Sequence, residues 1–132
     1  MIPPTITQQE HRIGVSKTGK KYTYEQAELK EARSELRAHL SKHAPAQPLT
    51  GPVRLVTIWC FPIKGRHKNG EWRTSKPDTD NLNKMLKDVM TSLGFWKDDA
   101  QVASESIQKF WTDQPGIYIE WGEMTNGNST GA

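Results

Sequence analysis

The chain is short of most things that hold a large or secreted fold together. Cys60 is its single cysteine among 132 residues, which excludes an intramolecular disulfide framework. No apolar run approaches the roughly 20 residues of a membrane span, and no leader-like start is visible, so a cytoplasmic protein with no membrane partner is expected. Leu, Ile, Val and Phe together supply only 24 residues. That scarcity would point to disorder if the net charge were large, but it is only +3. Five Trp and four Met restore bulk to a thin core, and the length suits one domain rather than two. A Gly-rich phosphate loop is also missing, which argues against a nucleotide-binding α/β domain; no small-molecule cofactor is expected.

What charge there is lies unevenly. Residues 1–76 carry 14 Lys and Arg against 6 acids, whereas residues 77–132 carry 4 against 9. A basic half beside an acidic half, with an isoelectric point near 9.0, suits a surface that meets a polyanion.

Periodicity divides the chain into few elements. Residues 1–22 read as a strand or extended arm ending in a basic turn, Ser16–Lys21. Thr23 and Gln26 form a capping-box start. The helix behind them lines up Leu29, Ala32, Leu36 and Leu40 and runs to about His43. After the break at Pro45 and Pro48, Val53–Phe61 reads as a strand with bulky residues on both faces, hence central in a sheet or at a subunit contact. A second helix spans about Asp80–Leu93, with Leu82, Met85, Leu86, Val89, Met90 and Leu93 on one stripe and Gly94 as its stop. Gln101–Trp111 and Ile117–Trp121 read as strands joined by a hairpin-type connection at Asp113–Gly116. The expected fold is α+β, a single small domain over residues 1–124 with a mixed sheet and two main helices, followed by a flexible tail at 125–132.

Chemistry concentrates in the middle. Residues 64–77 form a loop holding Lys64, Arg66, Lys68, Arg73 and Lys76, all suited to phosphate contacts, and Trp72, which could stack on an unpaired base or anchor the loop. Asp78 and Asp80 follow at the mouth of the second helix, with Asp80 at or near its N-cap and Lys84 one turn beyond. Two carboxylates one residue apart can converge on one hard cation. Asp98 and Asp99 follow the same helix and could join them only if the next strand runs back beside it. Each acid also has a plain structural use, as cap, dipole partner or turn residue. His39 and His43, spaced i, i+4, lack a companion ligand and read as surface histidines.

From Lys76-Pro-Asp-Thr-Asp-Asn-Leu-Asn-Lys84 through Gly94-Phe-Trp-Lys-Asp-Asp-Ala-Gln-Val102 the chain resembles the RusA family of crossover-junction endodeoxyribonucleases, the Holliday junction resolvases common in prophages. The D-x-D-N-x-x-K, helix, D-D-x-Q-V pattern covers about a fifth of the chain with many fixed spacings. The resemblance implies that Asp78, Asp80 and Asp99 bind Mg²⁺ or Mn²⁺, that Lys84 is catalytic, and that Asp98 and Asn81 support them. It also implies a homodimer that cuts branched DNA at four-way junctions by paired nicks, in recombination, repair or phage DNA processing. The strand Val53–Phe61 or the helix after Asp80 is the expected dimer contact. Two rivals are a branched-DNA-binding protein of the same fold that does not cut, and a nucleotide-sugar D-x-D site, which the short chain disfavours.

Overall fold

In the computed structural model, residues 1–6 and 19–125 are described, with side chains for 1–6 and 27–125. Helix α1 spans Gly19–Leu40 and tightens into a 3₁₀ turn at Ser41–His43. Strand β1 follows at Val53–Pro62, helix α2 at Thr79–Ser92, a 3₁₀ turn at Asp99–Gln101, strand β2 at Val102–Thr112 and strand β3 at Gly116–Glu123. Among the described residues the result is the expected α+β arrangement of two helices and a mixed sheet.

β1 takes the middle of the sheet, in the order β2-β1-β3. It pairs parallel with β2, Leu55 opposite Glu105 and Trp59 opposite Lys109, and antiparallel with β3, Leu55 opposite Trp121. The unit β1–α2–β2 is therefore a crossover that returns a strand in the same direction, as a parallel pair requires. Along β1, Val53, Leu55, Thr57, Trp59 and Phe61 are buried while Val56, Ile58 and Cys60 are half-buried. The buried face joins one core with Leu29, Leu36 and Leu40 of α1 and Leu82, Met85, Leu86, Val89 and Met90 of α2. The two stripes expected of the helices are thus the stripes that meet the sheet. An Arg33–Asp88 ion pair at 3.7 Å also links α1 and α2.

Gly94 ends α2 as anticipated, at φ +86°, where a side chain would be strained. The amide of Phe95 donates to Met90 and that of Gly94 to Thr91, both at 3.0 Å, closing a Schellman motif.

Several expectations need correction. The segment between β2 and β3 is not a hairpin, because β1 lies between the two strands and residues 113–115 pass across its end. The reason is that β1, the most apolar strand, satisfies a partner on each edge, and alternation within β2 and β3 says nothing about which strand separates them. α1 starts at Gly19, four residues before the capping-box signal, since nothing from Lys20 to Tyr22 breaks a helix. Residues 19–21 of the expected basic turn are therefore helical, and residues 1–6, with Pro3 and Pro4, form no strand. Asp78 rather than Asp80 is the N-cap of α2. The rest of the arm, 7–18, and the tail from 126 onward lie outside the described residues.

Candidate active site at the mouth of the second helix

The loop between β1 and α2 is stitched to the outer edge of β2. The amide of Gly70 donates to Trp111 at 2.8 Å, that of Trp111 to Glu71 at 2.8 Å, and that of Arg73 to Lys109 at 3.1 Å. A fourth, very short strand position results, with Trp72 bridged to Phe110. The side chain of Trp72 is 58% exposed and stacks on Phe110 with ring centroids 4.3 Å apart. Both uses weighed for Trp72 are thus compatible, since one ring face rests on Phe110 while much of the indole meets solvent. His67 lies flat on Trp111, centroids 4.2 Å apart, and pairs with Glu71 at 2.6 Å. Glu71 also accepts from the Lys68 amide at 3.0 Å, and the His67 hydrogen bond holds its carboxyl below the ordinary value.

The cations of this loop divide into two groups. Lys64, Arg66, Lys68 and Lys76 are exposed. Arg73 instead lies between aromatic faces, 4.2 Å from the Phe61 centroid and 4.5 Å from that of Trp111, and donates to the Lys76 carbonyl. Burial lowers its pKa. Beside it, Lys109 of β2 reaches under the loop and donates from Nζ to the carbonyls of Ser75 and Pro77, each at 2.7 Å.

This braced segment delivers Asp78 and Asp80 to the start of α2, where both are exposed. Asp80 lies in the first turn and Lys84, also exposed, one turn further on. Asn81 is half-buried between them. The adjacent Asn83 points the other way and is 1% exposed. Its Oδ1 accepts from Thr57 Oγ1 at 2.8 Å and from Trp59 Nε1 at 3.1 Å, and its Nδ2 donates to Glu105 at 2.7 Å. Lys87 completes the chain on Glu105 at 3.1 Å. One polar network thereby fixes the α2 turn bearing Asp80 and Lys84 to both β1 and β2. Nothing in the helical period marks Asn83 for this role, because its partners come from distant segments.

Asp98 and Asp99 stand elsewhere. α2 is 14 residues long, about 21 Å, and they follow its far end. β2 does run back beside α2, but it begins there: seven residues, about 23 Å, separate Val102 from Lys109 at the Asp78 end. Among the described residues no group of three or more His, Cys, Asp or Glu side chains is placed to hold a metal. Within one chain, then, Asp78 and Asp80 share the mouth of α2 while Asp99 stands beyond its far end. Asp98 caps the turn that carries Asp99, accepting from the Ala100 amide at 2.8 Å. Gln101 accepts from the amides of Lys97 and Asp98 and donates to the carbonyls of Leu49 and Gly51, at 2.9 to 3.1 Å. The second acidic pair is therefore as firmly mounted as the first.

The chain is 34% identical over 91 residues to a crossover junction endodeoxyribonuclease rusA of Lactococcus phage r1t, covering 67% of this chain and 70% of that protein. It is 29% identical over 117 residues to the uncharacterized protein YqaN of Bacillus subtilis (strain 168), covering 80% and 82%. A family profile described as Endodeoxyribonuclease RusA matches residues 2–121, nearly the whole chain, which therefore belongs to the RusA family of endodeoxyribonucleases.

Proposed function

We propose that this protein resolves four-way DNA junctions by divalent-metal-dependent phosphodiester hydrolysis. The observation that carries the proposal is the juxtaposition at the mouth of α2. There the exposed acid pair Asp78 and Asp80, with Lys84 a turn away, adjoins a rigidly braced basic loop bearing an exposed indole. A metal-binding carboxylate pair and a phosphate-binding surface must meet the same DNA backbone, and here they share one edge of the fold.

The donors suit Mg²⁺, which takes one or two carboxylates and fills its remaining positions with water and phosphate oxygens, and Mn²⁺ accepts the same oxygen set. Asp78 and Asp80 would hold it. When bound, the metal supplies polarisation of the phosphate and a more acidic water. Lys84 then offsets negative charge growing on the phosphoryl oxygens. Lys64, Arg66, Lys68 and Lys76 hold the DNA arms by their phosphates, Trp72 offers a ring to an unstacked base, and Arg73 keeps the loop in shape.

Asp99 enters this scheme through a homodimer. Since it sits about one helix length from Asp78, a three-carboxylate site needs Asp99 of a second copy, with Asn81 and Asp98 as neighbours on either side. The sheet face turned away from the helices carries half-buried Val56, Ile58, Cys60 and Phe110 and exposed Tyr118. It is the natural contact, and a two-fold axis normal to the strands would lay the Asp99 end of one copy over the Asp78 end of the other.

Two experiments test the reading. Cleavage of a synthetic junction should give symmetric nicks whose 5′-phosphate and 3′-hydroxyl ends are sealed by ligase. Unligatable ends or unpaired cuts across plain duplex contradict it. Mixing Asp80→Asn protein with Asp99→Asn protein should restore single nicks, because one composite site per mixed dimer is intact. No restoration after subunit exchange would place Asp99 outside the site.

A further inference from the structure

The three carbonyls that precede the acidic motif are all taken by cations anchored in the sheet. Lys109 holds those of Ser75 and Pro77, and Arg73, fixed between Phe61 and Trp111, holds that of Lys76. Asp78 is the next residue, and α2 starts directly after it. We propose that Lys109 is a positioning residue of the acid pair: by clamping the main chain of residues 75–77 to β2 it sets where Asp78 and Asp80 stand. The inference rests on the junction-resolvase reading for its activity readout, but not for its structural one.

The chemistry favours this role over simpler ones. Drawing an ammonium out of water costs free energy, and an apolar side chain would anchor a surface loop as well. Lys109 is half-buried, opposite Trp59 in the sheet register, and sits beside the like charge of Arg73. Desolvation and Arg73 both lower its pKa, while the Asp78 carboxylate opposes them. Two of its three protons are spent on main-chain carbonyls, so it is poorly placed for a phosphate. What the arrangement does provide is rigidity immediately before Asp78. Misplacement of a reacting group by about 1 Å costs on the order of 100-fold in rate.

The test compares wild type, Lys109→Met and Lys109→Arg in three measurements. These are the cleavage rate at saturating junction and Mg²⁺, junction affinity in EDTA, and, in the metal-free protein, amide hydrogen exchange at Leu82–Lys84, the first amides of α2 to be hydrogen-bonded, that of Leu82 to the Asp78 carbonyl at 3.1 Å. Lys109→Met should cleave about 100-fold slower, bind the junction within threefold of wild type, and exchange those amides at least tenfold faster. Lys109→Arg, which keeps the charge and two donors, should recover at least a tenth of the wild-type rate. Unchanged exchange overturns the proposal even if cleavage falls. So does a loss of affinity equal to the loss of rate, which would make Lys109 a phosphate contact. Equal losses of rate and of melting temperature in both variants, removed by assay at low temperature, would leave Lys109 only a stabilising role. If wild type cuts no junction, the functional reading fails on its own, and the exchange data still decide whether Lys109 positions the segment.

Discussion

Replacing Asn83 removes the centre of the polar network that pins α2 to the sheet. In Asn83→Ala, the Thr57 hydroxyl loses the acceptor of its 2.8 Å bond at a position with 0% exposure, and an orphaned buried donor costs about 1–3 kcal/mol. The Trp59 indole falls back on its 3.2 Å bond to Thr57, a loss of a few tenths of a kcal/mol. Glu105 retains Lys87 and is partly hydrated, so its share is about 0.5–1 kcal/mol. Together these amount to about 3 kcal/mol, or roughly 10 °C in melting temperature for a domain of this size. Urea unfolding followed by tryptophan fluorescence, at one protomer concentration, measures it. A companion substitution tests the cause. Asn83→Asp keeps the acceptor for Thr57 and Trp59 but sets a carboxylate against Glu105. Burial and that neighbour raise the introduced group's folded-state pKa above its unfolded value, so its protonated form, able to donate to Glu105, is favoured at low pH. Relative to wild type the variant must therefore lose stability as pH rises through that raised pKa. A cost below about 1 kcal/mol for Asn83→Ala, or a pH-independent cost for Asn83→Asp from about pH 4, near the unfolded Asp value, up to about pH 8, refutes the reasoning.

Other predictions are briefer. Gly94→Ala meets nothing within 4 Å, so its cost is the φ +86° strain alone, about 1 kcal/mol by the same unfolding assay; a neutral result refutes the strain argument. Burial raises the Cys60 thiol pKa, so less thiolate is present at any given pH. Iodoacetamide at pH 8 should label Cys60 more slowly than the unfolded chain, and more slowly still in the dimer if the open sheet face is the contact. Labelling as fast as in urea contradicts the first point, and no concentration dependence contradicts the second. The Glu71 carboxyl, lowered chiefly by its hydrogen bond to His67, should titrate below its ordinary 4.5 by NMR. That brace on the basic loop is complete above 4.5 and is lost as pH falls through the lowered value. A midpoint at or above 4.5 would mean that the His67–Glu71 contact does not persist in solution.

The parts legible in the sequence were those set by contacts along one element. The stripe at Leu29, Ala32, Leu36 and Leu40 and the longer one from Leu82 to Leu93 predicted both buried helix faces, with Leu93, at the C-cap, half-buried, and Gly94 marked a real stop. The apolar run at Val53–Phe61 correctly announced a central strand. What stayed hidden depends on strand order and on side chains meeting from afar. Alternation in β2 and β3 is the same whether they pair or flank β1, so it does not separate a hairpin at 113–116 from a connection across the end of β1. Asp98 and Asp99 follow α2 closely in sequence, yet a 14-residue helix carries them away from its start. Asn83 and Lys109 carry no local signature, since Thr57, Glu105 and Pro77, which define their roles, lie 22 to 32 residues away. Even Arg73 resembled its neighbours in the basic loop until Phe61 and Trp111 were found on either side of it.

The most direct measurement is cleavage of an end-labelled four-way junction, with linear duplex of the same sequence as control. Wild type and Asp80→Asn would each be assayed in Mg²⁺ and in EDTA. Wild type should make paired nicks on opposed strands in Mg²⁺ alone. Asp80→Asn should lose cleavage while keeping junction binding, and the duplex should be cut little. Nicking that survives EDTA or the Asp80 substitution, or equal cutting of junction and duplex, would contradict the proposed function.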